Sequence, residues 1–139
     1  MNNAKTKDIG LLIIRIGIGA MMLYHGLPKL MAGPQNWEVL GKAMGFLGIT
    51  FAPQFWGFMA AFAEAVGGIA LVAGLCFRPF CALLTFEMIV ASVMHLSKGD
   101  GLFVASHAIE LAILFFGLIF IGPGSYSIDE KMGCCCCCK

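Results

Sequence analysis

Four apolar stretches, each long enough to cross a lipid bilayer, constrain this chain more than any other feature. They run Ile9 to Leu27, Phe55 to Leu75, Phe80 to Leu96 and Leu102 to Gly122. A helix needs about 20 mostly apolar residues to span the hydrocarbon core, within a range of roughly 17 to 25. Pro28 closes the first stretch, Pro53 precedes the second, Pro79 opens the third and Pro123-Gly124 ends the fourth. Proline suits a helix opening, where its missing N–H would be unpaired anyway, and glycine or proline suits a stop. Strands are rarely this long, and irregular backbone would leave its polar groups unpaired in lipid. The expected fold is therefore all-α, an integral membrane four-helix bundle. The turn between the second and third helices is too short for anything but antiparallel neighbours.

Composition agrees. Residues are 60% hydrophobic and 12% charged, against roughly 45–50% and 25% in soluble domains. The net charge of +1 offers no basic surface to phosphates, which excludes a nucleic-acid partner. The length has room for one membrane domain, residues 1–133, followed by a tail at 134–139 with no expected structure. The first apolar stretch continues into Pro28-Lys29 without a small-residue cleavage site, so it reads as a span and not a cleavable signal.

Seven cysteines do not make a disulfide framework here, because five are consecutive at 134–138. That run reads as a low-complexity extension, with S-acylation or soft-metal capture as the functional alternative. Cys76 and Cys81 are not spaced as a redox pair, and packing is the plainer reading of both.

Between the first two spans, Met31 to Gln54 is too broken by glycine to cross the membrane. Trp37, Leu40, Met44 and Leu47 nevertheless recur at helical spacing, with Glu38 and Lys42 off the stripe. A short helix in the interface is expected there, with Trp37 in the aromatic belt. Four spans place both termini on one side. Positive charge counts five on that side (Lys5, Lys7, Arg78, Lys131, Lys139) and three opposite (Lys29, Lys42, Lys98), which favours cytoplasmic termini.

Ionisable residues inside spans are costly unless they face a partner or cavity, so they are the functional candidates. Helix one carries Arg15 and His25, helix two Glu64, helix three Glu87 and His95, and helix four His107 and Glu110. Counting depth at about 1.5 Å per residue puts His25, His95 and His107, with Glu110 one turn below His107, near the outer face. Arg15 and Glu64 fall near mid-membrane, and Glu87 toward the inner half. Arg15, Gly19, Met22, Gly26 and Lys29 form one stripe, and the second span answers with the small-residue face Gly57, Ala60, Glu64, Gly67, Gly68 and Gly74. These faces make Arg15 and Glu64 the expected buried ion pair, either a structural lock or part of a site. A converging histidine cluster would suit a transition metal, a proton relay or a quinone head group. The bland alternative is three interfacial histidines bonded to backbone. No metal site is assigned: His107 and Glu110 reverse the order found in di-iron bundles and occur once. Glu87 has no evident partner, and burial would favour its neutral form.

In their order along the chain, these residues resemble the DoxX family of small four-helix membrane proteins. The features are Arg15 and Gly19, then His25-Gly26-Leu27-Pro28-Lys29-Leu30, Phe55-Trp56, Ala63-Glu64-Ala65-Val66-Gly67-Gly68, Gly74-Leu75, Arg78, Glu110, and the exit Gly122 to Asp129. The resemblance implies a bacterial inner-membrane protein associated with oxidoreductase systems, some relatives being linked to quinol oxidase or thiosulfate:quinone oxidoreductase complexes.

Two functions follow. One is a component of a quinone-linked membrane oxidoreductase, with Arg15, His25, Lys29, Glu64, His95, His107 and Glu110 as buried polar or ligand candidates and electrons supplied by a redox partner protein. No catalytic residue or cofactor is assigned, a quinone being the candidate carrier. The other is a non-catalytic scaffold subunit or small-ligand binder.

Overall fold

The computed structural model describes residues 3–133, and the cysteine run at 134–138 lies outside the described residues. Six α-helices follow one another: α1 Asn3–Met31, α2 Pro34–Gly41, α3 Pro53–Ala73, α4 Phe77–Lys98, α5 Leu102–Ile121 and α6 Ile128–Met132, with a 3-10 segment Lys42–Leu47 between α2 and α3. Four of them, α1, α3, α4 and α5, are long and apolar enough to cross a membrane. They form the expected bundle. Half of the apolar window of α3 is buried, against 22% of that of α5, so α3 is the central helix and α5 an outer one.

α1 lies against α3 through glycine. A Cβ placed on Gly19 would come within 2.7 Å of the Gly68 carbonyl oxygen, and one on Gly26 within 2.5 Å of Glu64 Cβ. Neither helix could approach so closely with a side chain at these positions, which is the use small residues serve in lipid. The contacts also fix register. Gly19 faces Gly68, Gly26 faces Glu64 and Ala65, and Arg15 therefore faces the far end of α3.

The first helix does not stop before Pro28; it runs one turn further, to Met31. Proline so near a helix end forfeits a single bond, and the added turn is held from outside. The Trp37 indole N–H donates to the Lys29 carbonyl oxygen at 3.0 Å.

The short helix expected after span one is α2 with its 3-10 extension. It packs on the start of α3 at backbone distance: a Cβ on Gly41 would lie 2.5 Å from the Pro53 carbonyl carbon, and one on Gly57 would lie 2.5 Å from that of Trp37. Met44 is buried, whereas Leu47 is exposed. α2 thus forms a cap over the hairpin end of the bundle, the end opposite the termini.

The other end is locked. Leu71, Phe77, Cys81, Leu84, Phe115 and Leu118 form the dense part of the core. Gly74 ends α3 in the left-handed conformation, with Leu75 N–H donating to the Ala70 carbonyl oxygen and Gly74 N–H to that of Leu71. Asp129, beyond α5, caps α4 from across the chain: its carboxylate accepts from Cys76 N–H and Phe77 N–H, each at 2.9 Å. Asp129 N–H in turn donates to the Gly74 carbonyl oxygen at 2.9 Å. Ser125 Oγ–H donates to Asp8 at 2.6 Å, which ties the exit segment to the start of α1.

Candidate functional site

Arg15 does not meet Glu64. It is 1% exposed, and its guanidinium donates to four carbonyl oxygens: Leu71 and Val72 at 3.0 Å each, Pro123 at 2.7 Å and Tyr126 at 3.1 Å. The planar fork satisfies carbonyls left over at the C-terminus of α3 and gathers the exit segment onto the same point. Its charge sits 5.8 Å from the centre of the Phe77 ring. The correction follows from helix register: Val72 lies eight residues beyond Glu64, about 12 Å along the axis at 1.5 Å per residue.

Glu64 pairs with Lys29 instead. Lys29 Nζ donates to Oε1 at 2.5 Å and stands 2.5 Å from the second oxygen. Lys29 reaches it because α1 continues past Pro28 and Gly26, three residues earlier, presses α1 onto Glu64. The Glu64 side chain is 6% exposed and that of Lys29 35%, so the ammonium opens toward a cavity and the carboxylate backs it.

That cavity is the candidate site. It encloses about 530 Å³ between α3 and α4 beneath the α2 cap, and its wall is mostly apolar. Its polar groups are few: Lys29, Glu64, Glu87, Trp56, His95 and Lys98. Size and lining both match small-molecule sites, which combine an apolar wall with a handful of placed polar atoms. Trp56 Nε1 and Glu87 Oε2 are buried with no hydrogen-bond partner among the described residues. Native interiors rarely leave such atoms unpaired, so an unpaired donor and an unpaired carboxyl oxygen in one cavity wall call for an occupant. The Glu87 carboxyl is not wholly free: it hydrogen-bonds the Glu64 side chain and lies within electrostatic reach of Lys29, and Oε2 is the atom left over. His95 stands on the wall with Nδ1 2.8 Å from Asp100 Oδ2, in the α4–α5 turn, and Lys98 Nζ lies 5.9 Å from the centre of the Phe46 ring. A groove of about 560 Å³ beside Trp37, Pro53 and Phe58 has no buried unpaired polar atom and is not the site.

The three histidines do not converge. His25 is exposed and stacks edge-on with Tyr24 at 5.4 Å between ring centres. His107 and Glu110 are exposed on α5, whose inward side is carried by Ala105, Ala108, Phe115 and Leu118. Among the described residues no group of three or more His, Cys, Asp or Glu side chains could hold a metal ion. Helical phase is the reason. Gly26 turns inward against α3, so His25, about 100° round the helix, turns out. Of the sequence candidates, Lys29, Glu64 and His95 reach the cavity, and Arg15, His25, His107 and Glu110 do not. Trp56, Lys98 and a role for Glu87 were missed. Trp56 belongs to the Phe55-Trp56 pair of the resemblance, but no spacing rule marks its indole as facing inward.

Comparison with known proteins adds one positive result. A DoxX family model matches residues 10–96. Neither the curated proteins nor the solved structures give a match. The matched region covers more than half of the chain and includes Arg15, the α1–α3 glycine faces and every polar group of the cavity except Lys98, while the exit segment from Gly122 lies beyond it. The chain belongs to the DoxX family.

Proposed function

We propose that this multi-pass membrane protein is a component of a quinone-linked oxidoreductase system in the bacterial inner membrane, with its termini in the cytoplasm. On this reading the cavity beneath the α2 cap receives the head group of a quinone or a similar lipid-soluble carrier. The observation that carries the reading is the pair of unpartnered buried atoms, Trp56 Nε1 and Glu87 Oε2, in an otherwise apolar wall. Phe86 both lines the cavity and is partly exposed on α4, which supports entry from the side of the bundle, out of the hydrocarbon.

Such a carrier, when bound, takes up or gives up two electrons together with two protons. The residues of this chain supply what that exchange needs. Trp56 N–H donates a hydrogen bond to a carbonyl or hydroxyl oxygen in the cavity. The carboxyls of Glu64 and Glu87, hydrogen-bonded to each other beside Lys29, leave one negative charge over, which a shared proton neutralises; Glu87 is the group that gives it up and takes it back. Asp100 orients the His95 ring through Nδ1 and leaves Nε2 as a second proton site, so the dyad connects the cavity with water at the hairpin end. Electrons come from a redox partner protein.

The test is binding of short-chain benzoquinone and naphthoquinone analogues to the purified protein in lipid nanodiscs, followed by tryptophan quenching and thermal stabilisation. Saturable binding weakened at least tenfold in Glu87→Gln or Trp56→Phe is expected. No saturable binding of either analogue would overturn the proposal. Binding with no effect of Glu64→Gln or Glu87→Gln on the redox activity of the membranes would leave only the ligand-binder reading.

A further inference from the structure

α5 buries one side against α4 and the core, through Ala105, Ala108, Phe115 and Leu118. Much of the opposite side is exposed, Phe103, Ile113 and Ile121 most of all. At about 100° per residue, Phe103, Ser106, Glu110 and Gly117 fall within one sector of that side, and His107 lies at its edge. Phe103 is 93% exposed. A Cβ placed on Gly117 would meet nothing. Glu110 begins about 12 Å below the helix's hairpin end, at 1.5 Å per residue, well inside the depth a membrane would cover. Neither His107 nor Glu110 makes a hydrogen bond or ion pair among the described residues.

A carboxyl at this depth facing lipid is expensive, and membrane proteins turn such groups toward a partner. We propose that the exposed face of α5 is the dimer interface of this protein, with His107 of each copy paired to Glu110 of the other. The occupant is a second copy because the face carries its own complement. An imidazole and a carboxyl one turn apart on a helix become two reciprocal pairs under a two-fold axis along the membrane normal, where the two α5 helices run parallel. Gly117 and Ser106, on the same sector, let the helix backbones approach as the pairs require. Nothing here depends on the cavity or on what it binds.

The test is self-association of the full-length protein in liposomes, read by energy transfer between terminally labelled copies across a range of protein-to-lipid ratios. A saturable dimer is expected, weakened at least tenfold by Glu110→Ala and by Gly117→Leu. The exchange of the two residues, His107→Glu with Glu110→His, keeps the face self-complementary and is expected to restore association lost in His107→Glu alone. Exposed positions leave the fold intact, checked by an unchanged far-UV circular dichroism spectrum of each variant at the protein-to-lipid ratio where it is monomeric. The proposal is overturned by a monomer at every ratio, by a dimer indifferent to both Glu110→Ala and Gly117→Leu, or by failure of the exchange to restore association. Association that appears only with a different membrane subunit overturns it as well.

Discussion

Replacement of Arg15 by alanine removes four hydrogen bonds at once, to the carbonyls of Leu71, Val72, Pro123 and Tyr126, at a site that is 1% exposed. Polar contacts in membrane proteins average about 0.6 kcal/mol each, which sets a floor of about 2.4 kcal/mol for four. Hydrogen bonds to a charged group contribute about 1.5–3 kcal/mol, but the carbonyls share one guanidinium and relax together, so the full multiple is not reached. Loss of the charge near the Phe77 ring adds about 0.5–2 kcal/mol. The expected destabilisation is about 3–5 kcal/mol. Arg15→Lys is expected to cost about half of that, because one ammonium offers three donors from a point and cannot serve carbonyls of both α3 and the exit segment. Reversible unfolding in mixed detergent–SDS micelles, followed by far-UV circular dichroism, measures both. An Arg15→Ala protein within about 0.5 kcal/mol of wild type would refute the carbonyl-clamp account. The folded fraction of Arg15→Ala should still bind a quinone analogue with unchanged affinity, which separates this residue from the cavity.

Three further outcomes follow from the geometry. Asp129→Ala leaves Cys76 N–H and Phe77 N–H without an acceptor and should cost about 1–2 kcal/mol in the same unfolding assay, as loss of a helix cap does. Gly26→Val forces Cβ against Glu64 and should cost about 1–3 kcal/mol or more, whereas Gly17→Ala, where nothing lies within 4 Å, should be neutral or stabilise by up to about 1 kcal/mol; equal effects at the two positions would refute the α1–α3 register. Lys29→Met removes the counter-charge of Glu64 and should cost about 1–3 kcal/mol, less than the 3–5 typical of breaking a fully buried pair because the lysine is partly open; addition of Glu64→Gln should recover most of the loss, and a strictly additive double variant would argue against the pair.

Span number, the helix after span one and the glycine faces were legible because each is a repeated pattern: a run of apolar residues, a stripe at helical spacing, small residues every third or fourth place. What a single residue does was legible only where register was known. Arg15 and Glu64 both lie near the middle of their helices, and depth counting made them partners. Depth counted from supposed helix ends is sensitive to where those ends lie, and α1 passes Pro28 by a turn. The close approaches Gly19 to Gly68 and Gly26 to Glu64 set the true register, and they shift Arg15 to the C-terminus of α3. The histidines failed for a related reason. Shared depth does not give shared direction, and His25 and His107 sit at phases of their helices that α3 and α4 do not cover.

The corrected register divides the bundle into two ends with different physics. At the termini end, Arg15, Asp129, Gly74 and the exit segment satisfy one another's backbone groups, and the core beside them holds the largest fully buried side chains. At the hairpin end, α2 covers a cavity in which an indole N–H and a carboxyl oxygen remain unpaired. The carbonyl clamp on Arg15 bears on a site it never touches: by fixing α1 against α3 and the exit segment, it holds the register that brings Lys29 to Glu64 at the hairpin end. The same division accounts for the difference between the two cations on the stripe of α1. Arg15 is consumed by structure, and Lys29, fourteen residues along the same face toward the hairpin end, pairs with Glu64 at the cavity wall.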